Sequence, residues 1–137
     1  MRCRVLLVAL AAAFGTAPAA ATLNMHEGLW ETTLTVDGRA RSVGTKCYTR
    51  ADIVEMENML QGRSSRGSGS CRYSNFAQSG DSVSYTMTCP LGDDEQASSV
   101  SAIYRGDSAT GTVRAAGATV TTSSRRIGDC AESSFSR

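Results

Sequence analysis

Apolar and polar side chains alternate along much of the chain, starting with GLWETTLTV (28–36). Such alternation predicts a β-strand, here with Trp30 and every second residue after it on one face. Asp37-Gly38 follows, a dipeptide typical of a two-residue hairpin turn, and RARSVGTKCYT (39–49) is the predicted return strand. We expect alternate residues of this return strand to share a face: Arg41, Val43, Thr45 and Cys47.

One segment has helical periodicity instead. In ADIVEMENMLQ (51–61), Ile53, Met56 and Leu60 recur at the spacing of one helix face. Thr49, with Asp52 three residues later, fits the pattern of an N-terminal capping box. The helix is predicted to stop at Gly62, where a polar loop (62–70) begins.

The remainder of the chain is predicted to form five more strands separated by turn residues. They are residues 71–78, 82–89, 96–105, 109–116 and 118–126, with an acidic loop at 90–95. Short strands at close spacing favour an antiparallel arrangement. We therefore predict a mainly β fold, an antiparallel meander of about seven strands, curled or barrel-like, with one short helix after the second strand.

The segment CRYSNFAQSGDSVSYTMTC (71–89) begins and ends with cysteine, and its register decides whether the two cysteines meet. A three-residue loop, Ser79-Gly80-Asp81, would place Cys71 opposite Cys89 on one face. The other pairs in this register are Tyr73 with Met87, Asn75 with Tyr85, Ala77 with Val83, Arg72 with Thr88, Ser74 with Thr86 and Phe76 with Ser84. Glycine is ideal at the third position of such a loop and is second here, so the pattern leaves room for a bulge.

The first residues, MRCRVLLVALAAAFGTAPAAA (1–21), combine two arginines, an apolar run and a small-residue end. This pattern is typical of a secretory signal peptide, with cleavage near Ala19 or Ala21. We expect one domain over residues 22–137. No second apolar stretch follows, so no membrane span is predicted.

Four cysteines follow the signal segment: Cys47, Cys71, Cys89 and Cys130. An even number in a small exported domain favours two disulfides. The lack of C-x-x-C spacing argues against a structural zinc site. Sequence alone permits three connectivities, of which the hairpin register favours Cys71–Cys89 and leaves Cys47–Cys130 to tie the last segment to the second strand.

The numbers of basic and acidic side chains indicate which classes of partner are unfavourable. The chain has 14 basic and 13 acidic side chains, and two of the basic ones, Arg2 and Arg4, belong to the signal segment. Nucleic-acid binding needs a clustered positive surface, which this balance does not favour. We expect a monomer whose partner is an envelope protein or a small ligand.

Four short segments occur in order: GLWE (28–31), CYTRADI (47–53), the 71–89 hairpin and RRIGDC (125–130). Together they resemble the exported bacterial proteins of domain-of-unknown-function family 3617, with all four cysteines in place. The resemblance implies a periplasmic location but supplies no activity, substrate or catalytic residue. The chain has the tight Asp37-Gly38 turn where many members carry a Met-Pro-Gly-rich insertion. The motif residues, which we interpret as structural, are Gly28, Leu29, Trp30, Glu31, Arg126, Ile127, Gly128 and Asp129.

Side chains for catalysis are sparse. Nucleophilic catalysis needs a base beside a hydroxyl or thiol, but His26 is the only histidine and lies in an N-terminal stretch that we expect to be mobile. Carboxylates cluster at 93–95 and occur on the helix at Glu55 and Glu57, and we interpret both sets as solvated surface. The acidic loop lacks the spaced ligands of an EF-hand calcium site. We therefore do not expect an enzyme, and a small hydrolase is the weaker alternative.

Soft-metal transport is another alternative. Met25, His26, Met56, Met59 and Met87 are ligand types that suit copper(I). Met56 and Met87 occupy predicted core positions, where methionine fills gaps, so we favour packing and expect no cofactor. The function that the sequence favours is a non-enzymatic binding or envelope-associated module of the periplasm.

Overall fold

The computed structural model of the chain describes residues 22–63 and 70–131. The predicted signal segment lies outside these residues. The described chain forms seven strands and one helix in this order: β1 (Gly28–Val36), β2 (Arg39–Tyr48), α1 (Arg50–Leu60), β3 (Arg72–Ser79), β4 (Ser82–Leu91), β5 (Asp94–Tyr104), β6 (Ser108–Ala115) and β7 (Ala118–Gly128).

All seven strands belong to one antiparallel sheet, in the order β2-β1-β7-β6-β5-β4-β3. The predicted mainly β meander with one helix after the second strand is confirmed. The sheet is curled but not closed, because β2 and β3 are its two edges. Helix α1 connects these edges along the chain and contacts both, so the sheet curls around it.

The hairpin of β1 and β2 has the predicted two-residue turn. Asp37 and Gly38 have φ angles of 49° and 74°, the positive values that a type I′ turn requires. The predicted phase of β2 is wrong, because the register shifts between Thr32 and Thr33 and leaves Val43 as an extra residue. Beyond this bulge the alternation reverses, which puts Arg41 on one face and Thr45 and Cys47 on the other.

The hairpin of β3 and β4 follows the predicted register only at its cysteine end. There Arg72 pairs with Thr88, Tyr73 with Met87 and Ser74 with Thr86. Towards the turn the register shifts by one residue, so that Ala77 pairs with Ser84, Gln78 with Val83 and Ser79 with Ser82. The predicted three-residue loop is therefore wrong, as are the pairs of Asn75 with Tyr85, Phe76 with Ser84 and Ala77 with Val83. The turn is Gly80-Asp81.

A bulge at Asn75 causes this shift. Asn75 has a φ angle of 52°, in the left-handed region that asparagine tolerates better than most residues. The extra residue reverses the alternation, so Phe76 joins Tyr73 in packing against the core. The hairpin thereby keeps both aromatic rings inside although they are three residues apart.

The turn between β4 and β5 is tighter than the sequence suggested. Pro90 pairs with Glu95 and Leu91 with Asp94, which leaves Gly92-Asp93 as a two-residue turn. The predicted acidic loop at 90–95 is therefore mostly strand. Gly92 supplies the required positive φ, 66°, and allows the ladder to continue to the turn.

Helix α1 begins as predicted with a capping box. The Asp52 amide donates to Thr49 Oγ1 at 3.2 Å, and the Thr49 amide donates to Asp52 Oδ2 at 2.8 Å. The Thr49 hydroxyl also donates to Asp52 Oδ2 at 2.7 Å, and the bonds that the carboxylate accepts from the Thr49 backbone and side chain lower the pKa of Asp52. Ile53 and Leu60 are buried, but so is Glu57 at 7% exposure, and its predicted place on a solvated face is wrong.

The core lies between α1 and the inner face of the sheet. Its buried side chains are Leu23, Met25, Trp30, Ile53, Leu60 and Val83, with the rings of Tyr48, Tyr73, Phe76, Tyr85 and Tyr104 packed against them. Two of the buried residues come from the N-terminal strap, which we define as residues 22–27. Within residues 22–63 and 70–131, no helix is long and apolar enough to cross a membrane.

The N-terminal strap is bound to the body of the domain. The His26 amide donates to the Gly106 carbonyl at 3.0 Å, and the Gly106 amide donates to the Asn24 carbonyl at 2.8 Å. Asn24 Nδ2 also donates to Asp81 Oδ1 at 3.1 Å. The expected mobility of this stretch is wrong, because Leu23 and Met25 are anchored in the core.

Candidate functional site

The two family-like motifs meet at one corner of the sheet. Strand β1 pairs with β7, so Trp30 of GLWE lies opposite Arg126 of RIGD, and Leu29 lies opposite Gly128. Ile127 is the extra residue of a bulge at this point and is 45% exposed. We call this arrangement the motif corner, defined by residues 27–31 and 126–130.

Arg126 hydrogen-bonds to both segments of the motif corner. Its Nε donates to the carbonyl oxygen of Glu27 at 2.6 Å, and its Nη2 donates to Asp129. The side chain lies against Gly28, whose φ of 142° is strained for other residues. A Cβ atom at position 28 would clash with the guanidinium, so the corner requires glycine there.

Trp30 and Glu31 point to opposite faces of β1. The Trp30 ring is 1% exposed, and its Nε1 donates to the His26 carbonyl at 3.0 Å. Glu31 Oε2 accepts from Arg125 Nη2 at 2.9 Å on the other face. The first contact ties the N-terminal strap to the core, and the second bridges β1 and β7 at the surface.

A histidine–aspartate pair adjoins the motif corner. His26 Nδ1 lies 3.0 Å from Asp107 Oδ1, with both side chains about two-thirds exposed. Arg126 Nε is 4.0 Å from the same carboxylate. Among the described residues, no hydroxyl or thiol hydrogen-bonds to His26.

Both disulfides join the pairs that the hairpin register favours. Cys71 and Cys89 have Cα atoms 4.1 Å apart, and Cys47 and Cys130 have Cα atoms 5.5 Å apart. Cys47 lies opposite Leu29, and Cys130 lies two residues beyond the end of β7. The second disulfide therefore spans the start of β1 and closes the motif corner.

The face of the sheet opposite α1 carries a groove that the sequence did not reveal. Ser82 and Ser84 flank the buried Val83 and so point to this helix-free face. The register continues a row from Ser84 through Ser101 and Thr112 to Thr121. These side chains line a groove of about 620 Å³, which we call the hydroxyl groove: Ala77, Ser79, Ser82, Ser84, Ser101, Ile103, Thr110, Thr112 and Thr121.

The hydroxyl groove continues into a second depression of about 290 Å³. Ser84, Ser101 and Thr112 line both spaces, and Arg114 and Asn75 are added in the second. Together they form a trough along β4, β5 and β6. Among the described residues its lining is mostly hydroxyls and apolar groups, and Arg114 at one end is the charged side chain.

On the inner face of the sheet, which faces α1, tyrosine rings pack against the core. The rings of Tyr73 and Tyr85 have centroids 5.7 Å apart. Burial raises the pKa of Tyr85 and of Tyr104, with neighbouring tyrosines adding to the effect. Both phenols therefore stay neutral at physiological pH and act as core side chains.

Three of the candidate copper ligands are divided between the interior and the surface. Met25 and Met56 line a small internal space of about 100 Å³ beside Trp30, whereas His26 is turned outward to Asp107. In the described part of the chain, no three side chains of the types His, Cys, Asp and Glu come together as a metal site. Asp93 lies in a turn and Glu95 pairs with Arg72 at 2.8 Å, so the acidic residues are not gathered either.

Sequence reasoning missed the groove and the role of Glu57. The Ser and Thr residues of β4–β7 carry no individual signal in the sequence, and only the register shows that they form rows. For Glu57 a signal was present, since it lies four residues after Ile53 and three before Leu60, on the predicted apolar face.

Comparison with known proteins found one family match, and it includes the residues of the motif corner. No curated protein and no solved structure matches the chain. Family DUF3617, described as a protein of unknown function, matches residues 25–130, which include both motifs and all four disulfide cysteines. The chain therefore belongs to the DUF3617 family.

Proposed function

We propose that this protein is an exported, disulfide-braced, non-enzymatic binding module of the periplasm, and that it binds its ligand in the hydroxyl groove. The observation that carries the proposal is the groove itself. Its volume of about 620 Å³ is in the range of small-molecule sites.

The lining favours an uncharged polar ligand. Serine and threonine hydroxyls both donate and accept hydrogen bonds, while the methyl groups of threonine, Ala77 and Ile103 provide apolar contact. A ligand with many hydroxyl or amide groups fits this lining. Short oligosaccharides and extended peptides are the two probe classes with that chemistry.

The two disulfides support the proposed compartment. Disulfides persist in oxidising environments and are rare in the cytosol. The segment 1–21 has the pattern of a signal peptide, which supplies the route out of the cytosol. A small sheet with a modest core benefits from such cross-links.

Titration of the isotope-labelled mature protein by NMR tests the proposal. The probes are an N-acetylglucosamine tetrasaccharide and a tetra-alanine peptide with blocked ends. We expect at least one probe to shift the amide signals of Ser84, Ser101 and Thr112 together. Shifts confined to the inner face or the motif corner, or none with either probe at millimolar concentration, would contradict the proposal.

A further inference from the structure

Glu57 is a buried carboxylate with an incomplete environment. It is 7% exposed, and its Oε1 accepts one hydrogen bond, from the Leu23 amide at 2.8 Å. No basic side chain of the described residues forms an ion pair with it. A buried carboxylate is stabilised when a positive group faces it, and Glu57 has no such group among the described residues.

A buried acceptor without a donor lies beside the same stretch of chain. Gln78 Nε2 donates to the Thr22 carbonyl at 3.0 Å, while Gln78 Oε1 is buried and has no hydrogen-bond partner. Consecutive residues of the N-terminal strap are thus hydrogen-bonded to different elements. Thr22 binds Gln78 on β3, and Leu23 binds Glu57 on α1. Gln78 Oε1 can accept a further hydrogen bond at this point, and the Glu57 carboxylate can accept a positive charge.

The Thr22 nitrogen is one residue before the amide that Glu57 binds. Consecutive backbone nitrogens are at most about 3.7 Å apart, so Thr22 N lies within roughly 6–7 Å of Glu57 Oε1. In the uncut chain this nitrogen is a peptide amide with one hydrogen. As a chain terminus it would be an ammonium group with three donors and a positive charge.

We propose that the Ala21–Thr22 bond is the processing site, and that the new α-ammonium group of Thr22 binds to Glu57 and Gln78. The inference rests on the proposed export of the protein. A signal peptidase hydrolyses the bond: water supplies a hydroxyl to the Ala21 carbonyl carbon and a proton to the Thr22 nitrogen. The product terminus is protonated at neutral pH, so it brings a positive charge for the Glu57 carboxylate and a donor for Gln78 Oε1.

The geometry distinguishes the two cleavage positions that the sequence allows. Cleavage after Ala19 would leave Ala20 and Ala21 in front of Thr22, whose nitrogen would stay an amide. The charge would then be displaced by two residues from Glu57. Maturation at Ala21 makes the chain terminus part of the core contact between the N-terminal strap and α1.

Mass spectrometry of the protein exported from a bacterial host tests the position. We expect a chain that begins at Thr22 and contains two disulfides. An exported chain that begins at Ala20 would overturn this inference and leave the proposed function standing. An uncut precursor retained in the cytoplasm would instead overturn the proposed export, and the inference with it.

A stability comparison tests the ammonium contact directly. Two purified oxidised forms, one beginning at Thr22 and one at Ala20, are each made with and without Glu57→Gln, which keeps an acceptor for the Leu23 amide. We expect the Thr22 form to melt about 5 °C higher than the Ala20 form, and Glu57→Gln to abolish that difference. Equal melting temperatures, or a difference that persists in Glu57→Gln, would overturn the inference. Asp93→Asn, in an exposed turn, serves as the control substitution and should leave the difference intact.

Discussion

The side chain of Arg126 lies against the backbone of Gly28, so that any Cβ atom at position 28 would clash with its guanidinium. This contact joins two motifs that are almost a hundred residues apart in the sequence, GLWE on β1 and RIGD at the end of β7. The same guanidinium donates to the Glu27 carbonyl and to Asp129. The motif corner is therefore a structural unit that brings both ends of the domain together.

Gly28→Ala should destabilise the protein by about 2–3 kcal/mol, because the added methyl group meets Arg126 and the φ of 142° is unfavourable for alanine. Urea unfolding of the oxidised protein measures this. Gly128→Ala is the matched control, since a Cβ there has no neighbour within 4 Å, and it should cost under about 1 kcal/mol. Equal costs for the two substitutions would contradict the account of the corner.

Removing the Cys47–Cys130 disulfide should cost more stability than removing Cys71–Cys89. The bridges span 83 and 18 residues, for which loop-closure entropy predicts roughly 4–5 and 3 kcal/mol. Double serine variants, compared by urea unfolding, give both numbers. A larger loss for the hairpin pair would show that native contacts at β3 and β4 outweigh the entropy of the unfolded chain.

Asn75→Val should destabilise the β3–β4 hairpin by about 1–3 kcal/mol, because a β-branched residue resists the φ of 52° at the bulge. Asn75→Gly should be tolerated within about 0.5 kcal/mol, since glycine adopts this angle readily. Denaturant midpoints compare the variants. Ser74→Val, at the preceding paired position, controls for the added side chain, and a cost equal to that of Asn75→Val would argue against the bulge as the cause.

Stability should fall as pH rises above about 10, the ordinary tyrosine value. Burial raises the pKa of Tyr85 and Tyr104, so the folded state holds their protons where the unfolded state releases them. The contribution is complete below pH 10 and is lost as pH rises towards the folded-state pKa. Urea midpoints from pH 8 to 11 measure it, and Tyr85→Phe should flatten the slope. An unchanged slope would contradict the assignment to Tyr85.

Copper(I) should not raise the melting temperature, because Met25 and Met56 face Trp30 in the core and His26 is engaged with Asp107. Met56→Leu, close to Met56 in volume, should cost less than about 1.5 kcal/mol. Titration under anaerobic conditions, followed by thermal unfolding, tests both statements. A copper-dependent rise in the wild type that disappears in Met56→Leu would favour the metal carrier instead.

Local patterns predicted much of the fold. Alternation located the strands, Asp37-Gly38 the first turn, and Thr49 with Asp52 the start of α1. The errors in strand register came from single-residue bulges at Val43 and Asn75. One extra residue reverses inside and outside without changing composition. The sequence did contain one sign of the bulge at Asn75. Tyr73 and Phe76 are three residues apart, and a regular strand would place their rings on opposite faces.

The candidate site was less predictable than the fold, because it depends on contacts between distant residues. The row Ser84–Ser101–Thr112–Thr121 exists only when four strands are aligned in register. Similarly, nothing in the sequence indicates that Arg126 and Gly28 are in contact. Glu57 differs, because its helical position already indicated burial and only its charge argued against it.

Binding by the hydroxyl groove is the central claim, and calorimetric titration of two tryptophan variants tests it most directly. Ser101→Trp fills the middle of the groove, whereas Thr119→Trp adds the same ring on the same face outside it. The probe is whichever of the tetrasaccharide and the blocked peptide binds the wild type. We predict at least a tenfold loss of affinity in Ser101→Trp and none in Thr119→Trp. Equal affinities in the two variants would contradict the claim.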